Sequence, residues 1–333
     1  DQVERPERFV FWTVVLGILP VLALGFYQYG QPPDAWINQY VAEDADVTTV
    51  LSRPRITGTF SYIGGMGTFL TSTLFFAAGI LIAGLRHQHR FYLWFGVAFL
   101  GFALFVAPMN GSRSVVLGAL VPLPLILYSQ LRGQGGKSVL VGAVFLTLIG
   151  LYVATSSEWA MQGWEIVNHR LETAGDRDTR TQSMLMDPLL KVPVGGLLGY
   201  GTGATQHAAG ALAGGRISIP GVWYEGEFGR VIIELGTLGG FIYFLLKIWL
   251  AWTAYQAMRR TSTAWETLLA ITAFGTLFLS AGVGGFVVNH TGGSLYWLCA
   301  GIAVWLWARQ EERKRQFQLL KKYNSHPTNG GDR

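Results

Sequence analysis

Apolar segments long enough to cross a bilayer recur along this chain of 333 residues, and short polar connections separate them. Half of the residues are hydrophobic and 14% are charged, which indicates a polytopic membrane protein and not a soluble domain. Because a helix needs about 20 apolar residues to cross the bilayer core, the pattern predicts an all-α transmembrane bundle. The eight predicted spans lie near 9–27, 60–85, 91–108, 115–131, 138–156, 229–257, 264–287 and 292–308.

The spans predict a single membrane domain over residues 1–333, with one large loop, 157–228, inserted between two of them. Since the chain begins at Asp1 without a methionine, we expect further spans to precede it in a longer protein. The loop is too long for a passive connection. It contains a helical pattern of apolar residues, which predicts an amphipathic helix on the membrane surface: Trp159, Trp164, Val167 and Leu171.

A second helical stretch of the loop is predicted around Met184 to Leu190, with a break at Pro188.

The basic connections predict the orientation of the spans. Arginine and lysine are concentrated at 86–90, 131–137, 259–260 and 313–322. All four stretches fall on one side of the membrane, which the positive-inside rule assigns to the cytoplasm. Both termini are then cytoplasmic, and the 157–228 loop faces outward. Membrane anchoring explains the net charge of +5, and no nucleic-acid partner is predicted.

Arg113 is the most informative polar residue, because it follows Gly111 and Ser112 in a break between two apolar runs. An arginine between spans is costly to desolvate, so a partner or a ligand usually holds it. Its planar, permanently charged group suits phosphate oxygens. The alternative is an interfacial arginine that reaches lipid headgroups. The long loop adds Arg170 and Arg180, although ion pairs with acidic neighbours explain part of its charge.

Glu227, Arg230 and Glu234 fall on one face of the helix predicted to open the next span, by i+3 and i+4 spacing. Two carboxylates and a guanidinium would then lie at the outer surface of the membrane. The alternative is a structural group that neutralises itself, in which Arg230 pairs with Glu227.

Glycine-rich stretches lie on both sides of this group. Gly199 to Gly203 reads Gly-Tyr-Gly-Thr-Gly, which predicts a tight turn or a backbone that approaches a ligand closely. A dinucleotide site is not predicted, because no strand–turn–helix context surrounds these glycines. Gly236 and Gly240 have the spacing that lets another helix pack closely.

The combination resembles the O-antigen ligase and polymerase family of bacterial surface-polysaccharide enzymes. The likeness rests on the polytopic profile, the Gly-Ser-Arg break at 111–113, the loop with spaced arginines, the Gly-Tyr-Gly-Thr-Gly turn and the Glu-Leu-Gly-Thr-Leu-Gly stretch from Glu234. It covers most of the chain, from about the 91–108 span to the last span. It implies a GT-C-like bundle in the bacterial inner membrane, with the long helical loop in the periplasm.

The resemblance implies transfer or polymerisation of a glycan from an undecaprenyl-pyrophosphate-linked donor to a glycan or lipid acceptor. Four arginines would bind the pyrophosphate: Arg113, Arg170, Arg180 and Arg230. Ligases of the family usually carry a His-Asn pair shortly before the Glu-Leu-Gly element, where this chain has Glu225 and Gly226. Glu225 or Glu227 is therefore the predicted catalytic base, with His207 and Glu234 as further possibilities.

No metal and no other cofactor is predicted, on the expectation that Asp-x-Asp motifs, clustered histidines and multiple cysteines are missing. The single cysteine, Cys299, excludes an intrachain disulfide. Two other functions stay open. One is a transporter for a small anion such as bicarbonate, with Arg113 and Glu234 along its pathway. The other is a non-catalytic scaffold within a membrane complex.

Overall fold

The computed structural model describes residues 5–39, 49–131, 158–172, 177–205, 226–283, 285 and 290–324, which are mostly helical. In chain order the helices are α1 (Pro6–Tyr29, with π-helical Thr13–Ile18 inside it), α2 (Ile63–His87), α3 (Arg90–Val106), α4 (Arg113–Leu120), α5 (Leu123–Leu131), α6 (Glu158–Glu172), α7 (Arg177–Gly195), α8 (Glu227–Arg259), α9 (Ala264–Val283) and α10 (His290–Asn324). Short 3-10 helices occupy Trp36–Asn38 and Ala107–Asn110. Two short strands, β1 (Thr49–Val50) and β2 (Arg53–Pro54), pair antiparallel with Thr49 opposite Pro54.

Within the described ranges, five helices are long and apolar enough to cross a membrane: Pro6–Tyr29, Ile63–His87, Arg90–Asn110, Glu227–Arg259 and Ala264–Gly282. They coincide with five of the predicted spans, and the prediction of an all-α membrane bundle is confirmed. The 115–131 span is divided into α4 and α5, because Pro122 and Pro124 interrupt the helical hydrogen bonding there. The 138–156 span lies outside the described residues. The 292–308 span falls within α10 and stays a prediction.

Helix α2 lies at the centre of the bundle and packs against α3, α4, α9 and α10. A Cβ atom on Gly96 of α3 would lie 2.7 Å from the backbone of Leu81, so the glycine allows α2 and α3 to touch through their backbones. One buried cluster surrounds α1, α2 and α3, and includes Met66 and Tyr92. A second surrounds α8, α9 and α10, and includes Phe274. The two clusters form the apolar interior on either side of α2.

Three of the four predicted basic connections meet at one end of the bundle, called here the basic end and marked by Arg86, Arg260 and Arg313. Arg86 donates to the Gln130 side chain at 2.5 Å and to the Thr261 hydroxyl at 3.1 Å. Arg260 pairs with Glu311 at 2.5 Å, and Arg313 pairs with Glu266 at 2.6 Å. Glu7 lies 3.3 Å from His89, so the start of α1 belongs to the same end.

The opposite end, called here the loop end, is formed by segment 53–62, the 107–113 turn and α6. The side-chain amide of buried Asn110 donates to the carbonyls of Ile56 and Ile63 at 2.9 and 3.2 Å. The main-chain carbonyl of Asn110 accepts from Arg55 Nε at 3.0 Å. These bonds satisfy main-chain groups of a segment that has little secondary structure of its own. They fix segment 53–62 against the end of α3.

Helix α8 is folded back on itself at Gly236 and is not one straight rod. Tyr243 donates to Glu227 at 2.5 Å, although residues sixteen apart in a straight helix would be separated by about 24 Å. The rings of Phe228 and Phe244 likewise lie 5.1 Å apart. The helix therefore consists of a short arm, 227–235, and a long arm, 237–259. The long arm is about 34 Å long and can cross a bilayer, whereas the short arm is only about 13 Å long.

Candidate functional site

The fold of α8 at Gly236 is held by hydrogen bonds between main chains. The break frees two carbonyls on the short arm, and these accept from Tyr200 N and Gly201 N at 2.9 Å each. It also frees two amides on the long arm, and these donate to the Gly196 and Leu197 carbonyls at 2.9 and 3.4 Å. The segment after α7 thus replaces the helical bonds that the break removes.

Two expectations about glycines are settled by this junction. Gly236 has φ 71° and ψ 179°, a conformation that essentially only glycine adopts, and a Cβ atom there would lie 2.3 Å from the Leu197 carbonyl oxygen. The predicted close packing of a separate helix at Gly236 and Gly240 is wrong, because a Cβ on Gly240 would meet Ile232 of the opposing arm at 2.3 Å. The Gly-Tyr-Gly-Thr-Gly stretch uses its amides at 200 and 201 to cap the short arm.

Arg230 and Glu234 meet at Thr205, next to this junction. Thr205 is 4% exposed, its hydroxyl donates to Glu234 Oε1, and its amide donates to the same oxygen at 3.3 Å. Arg230 donates from Nε to the Thr205 hydroxyl at 2.9 Å. Within the described part of the chain, Arg230 Nη1 has no hydrogen-bond partner, and both charged side chains are half-buried. The Glu234 carboxylate and the Arg230 guanidinium therefore lie next to each other, both bonded to the Thr205 hydroxyl.

Glu227 belongs to a different environment. Its side chain is 0% exposed, forms an ion pair with Lys247 of the long arm, and accepts from Tyr243. The Lys247 ammonium lies 5.3 to 5.5 Å from the ring centroids of Phe228, Tyr243 and Tyr296. The expected pairing of Glu227 with Arg230 is wrong, because the fold at Gly236 brings Lys247 closer. Glu227 is buried and paired with Lys247, an environment that does not favour a base that must reach its substrate, and its catalytic role stays a prediction.

Asp187 of α7 holds the beginning of the short arm. It accepts a hydrogen bond from the Gly229 amide and lies 3.8 Å from Lys191. Burial raises the pKa of Asp187, while Lys191 and the Gly229 amide act in the opposite direction. A carboxylate at this position also faces the positive end of the helix dipole. Helix α7 runs on through Pro188 to Gly195, so the predicted break at Pro188 is wrong.

The backbones of Arg113 and Arg170 lie near the same turn, 107–113. Arg180 and Arg230 lie on other helices, α7 and α8. Helix α6 lies across the 107–113 turn: a Cβ on Gly163 would be 3.1 Å from Pro108, and one on Gly111 would be 3.1 Å from Ile166. Arg113 is the first residue of α4, at the end of this turn, and Arg170 lies one turn beyond Ile166.

Arg180 lies instead on α7, the helix that packs against α8, which carries Arg230. The side chains of Arg113, Arg170 and Arg180 lie outside the described part of the structure, as do the whole of His207 and Glu225.

Sequence reasoning missed Thr205 and Lys247. The sequence did contain an indication for Lys247, because a lysine inside an apolar span is costly to bury and is usually paired. The sequence contained no such indication for Thr205, since threonine is common in polar loops. The expectation that Asp-x-Asp motifs are missing was also wrong: Asp44-Ala45-Asp46 and Asp176-Arg177-Asp178 have that form.

Neither pair bears on a metal site in the described structure. Residues 44–46 and 176 lie outside the described residues, and the side chain of Asp178 is not described. Among the described residues, no three His, Cys, Asp or Glu side chains are grouped to hold a metal. The prediction of a metal-independent site therefore stays a prediction.

Comparison of the chain with protein-family models, with curated proteins and with solved structures gave no match.

Proposed function

We propose that this chain is a metal-independent membrane glycosyltransferase, similar to O-antigen ligases and polymerases. It would transfer or polymerise a glycan from an undecaprenyl-pyrophosphate-linked donor at the loop end of a GT-C-like bundle. The observation that carries the proposal is the meeting of Arg230 and Glu234 at Thr205. Glycosyl transfer needs a group that accepts a proton beside groups that neutralise a leaving pyrophosphate, and this pair supplies one of each.

Each side chain has a defined part in the reaction. Glu234 accepts the proton of an acceptor hydroxyl as that oxygen attacks the anomeric carbon of the donor sugar. The bond between the anomeric carbon and the pyrophosphate oxygen breaks, and the lipid pyrophosphate leaves with the electron pair. Arg230 stabilises the charge that develops on the pyrophosphate. Arg113 and Arg170 extend the positive charge if the donor reaches the 107–113 turn. Glu225 and His207 stay candidates for the base.

The proposed orientation places the loop end in the periplasm and the basic end in the cytoplasm of a bacterial inner membrane. Its support is the meeting of Arg86, Arg260 and Arg313 at one end of the bundle. Positively charged connections are retained on the cytoplasmic side during insertion.

The test is glycan transfer by the purified protein in lipid vesicles that contain an undecaprenyl-pyrophosphate-linked oligosaccharide and an acceptor. Glu234→Gln keeps the shape of the side chain but cannot accept the proton, so turnover should fall by about 100-fold or more. Glu312→Gln, at an exposed position of α10, is the matched control and should leave turnover unchanged. Wild-type turnover in the Glu234→Gln protein would exclude Glu234 as the base. If Glu225→Gln or His207→Ala alone stopped the reaction, the role would pass to that residue.

One observation favours an anion transporter as a second candidate. The fold at Gly236 places Glu227 and Lys247 near the middle of the long arm, and interrupted helices with charged residues at that depth are typical of transporters. Vesicles that contain the protein and a pH-sensitive dye should show bicarbonate uptake if this function is correct. Uptake equal to that of protein-free vesicles would exclude the transporter. If neither uptake nor glycan transfer is found, the non-catalytic scaffold is favoured.

A further inference from the structure

A lateral groove of about 990 Å³ lies between α1, α2, α9 and α10, away from the site at Thr205. Along α10 it extends from Leu295 to Arg309, which corresponds to about 21 Å of helix. One leaflet of a bilayer core is about 15 Å thick, so the groove is long enough for an acyl chain of a single leaflet. Its middle is lined mainly by apolar and aromatic side chains, Phe69, Phe76 and Leu298 among them.

The groove ends in charged groups at the basic end. Arg309 is 33% exposed, and its Nε lies 3.9 Å from Glu266. Glu266 is already engaged by Arg313 at 2.6 Å and by the Ser262 hydroxyl at 3.0 Å. The Arg309 guanidinium also lies 5.4 Å from the centroid of the Trp305 ring, and it makes no hydrogen bond within the described part of the chain. Across the groove, the Glu7 carboxylate is 37% exposed and faces His89 at 3.3 Å.

Two buried hydroxyls also line the groove without a hydrogen-bond partner. Tyr92 is 0% exposed and Ser72 is 7% exposed, and neither hydroxyl is bonded within the described part of the chain. Buried hydroxyls are nearly always bonded in folded proteins, so unbonded ones beside a cavity indicate a missing partner. Trp265 and Trp305 stand at the charged end, the level at which tryptophan meets lipid headgroups.

We propose that this groove binds a phospholipid with a primary amine in its headgroup, such as phosphatidylethanolamine, from the leaflet at the basic end. Arg309 binds the phosphate, Glu7 binds the ammonium group, and one acyl chain fills the apolar part. Glu266 also lines the groove but is buried and paired with Arg313, so the more exposed Arg309 guanidinium on α10 and Glu7 carboxylate on α1 are left to complement a zwitterion better than an anion. The site does not depend on the proposed glycan transfer, because a lipid-linked donor would present its pyrophosphate at the loop end.

The experiment is native mass spectrometry of the delipidated full chain, titrated separately with phosphatidylethanolamine, phosphatidylcholine and phosphatidylglycerol. Phosphatidylethanolamine should be retained about tenfold more tightly than either other lipid, since the choline group cannot donate hydrogen bonds to Glu7 and glycerol carries no positive charge. Glu7→Gln should remove the preference over phosphatidylcholine. Arg309→Gln should weaken binding of all three lipids. Equal retention of the three lipids by the wild-type protein would overturn the proposal.

A second pair of variants separates binding in the groove from general contact with lipid. A Cβ atom on Gly17 would meet no atom within 4 Å, so Gly17→Leu fills the groove without disturbing the backbone packing. Gly101→Leu is the matched control, because Gly101 is exposed on α3 and is equally free of neighbours. Gly17→Leu should lose the preferred lipid, and Gly101→Leu should keep it. Equal retention by both variants, or occupation of the groove by a copurified polypeptide, would contradict the assignment.

Discussion

Glu227 and Lys247 are twenty residues apart in the sequence, yet they form an ion pair whose side chains are 0% and 2% exposed. The pair joins the two arms of α8 across the fold at Gly236. Three aromatic rings surround the ammonium group, so water does not share the charge. The short arm, which also carries Arg230 and Glu234, is thereby fixed to a helical arm that is long enough to cross a bilayer.

Removal of one partner of this pair should destabilise the protein strongly. Lys247→Met removes the ammonium group that pairs with the buried Glu227 carboxylate, and we expect a loss of about 3–5 kcal/mol in the free energy of unfolding. The double variant Glu227→Gln/Lys247→Met should recover most of this loss, because neither side chain is then charged. Thermal unfolding in detergent measures both. Arg260→Ala breaks a more exposed pair with Glu311 and should change stability by at most about 1 kcal/mol. Wild-type unfolding of Lys247→Met would show that the pair contributes little.

Gly236→Ala should destabilise the fold of α8. The backbone conformation at this position costs a non-glycine residue about 1–3 kcal/mol, and the new Cβ would also meet the Leu197 carbonyl. We expect a lower melting temperature and less folded protein on size-exclusion chromatography. Gly101→Ala adds the same methyl group where nothing lies within 4 Å and should behave as the wild type. If the two variants were equally stable, the fold at Gly236 would not be the native conformation.

Asp187 predicts a pH dependence of stability. Burial raises its pKa in the folded protein, so the folded state binds this proton more tightly than the unfolded state. Its contribution to stability therefore falls as pH rises through the folded pKa, and is unchanged below the unfolded pKa. Asp187→Asn can still accept from Gly229 but does not titrate.

The stability of Asp187→Asn relative to the wild type should accordingly increase as pH rises above about 4, the ordinary pKa of an aspartate. Melting temperatures across this range measure it. Asp34→Asn, at an exposed position after α1, is the control. A constant difference between Asp187→Asn and the wild type would contradict the expectation.

Cysteine labelling tests the orientation. Cys299 is buried, so Cys299→Ala provides a background without thiols. Leu198, beside the α8 junction, is 77% exposed, and Phe317, beyond the basic end, is 69% exposed. In intact cells with a permeable outer membrane, an impermeant maleimide should label Leu198→Cys but not Phe317→Cys. The reverse pattern would place the 157–228 loop in the cytoplasm and remove the support for a periplasmic enzyme.

Arg113→Lys tests whether the arginine at the start of α4 binds phosphate. Lysine keeps the charge but loses the two-pronged hydrogen bonding of the guanidinium. We expect transfer from the lipid-linked donor to fall about tenfold to a hundredfold, equivalent to roughly 1.5–3 kcal/mol. The protein should still insert and fold. Full polysaccharide output from Arg113→Ala at a normal expression level would make this residue an interfacial anchor only.

The sequence was sufficient to predict five of the eight spans, because apolar length is a local property, but it did not predict that the 115–131 segment is divided into two helices. The break at 111–113 was also predictable from its glycine and polar residues. The fold at Gly236 was not, since a glycine in an apolar helix is equally compatible with close packing and with a break. That ambiguity explains the errors at Glu227, whose partner depends on how the arms are arranged. Helical spacing did place Arg230 and Glu234 on one face correctly, but only the tertiary structure brings Thr205 between them.

The main-chain hydrogen bonds that hold the fold of α8 at Gly236 have a consequence for the evolution and engineering of this protein. Backbone amides and carbonyls from 196–201 and 233–238 make the joint, so most side chains around it do not contribute to its geometry. Side chains near the joint, Tyr200 and Leu198 among them, are then free to change. If the proposed glycan transfer is correct, substrate preference could be altered there without loss of the scaffold, because the loops around a rigid frame tolerate sequence change.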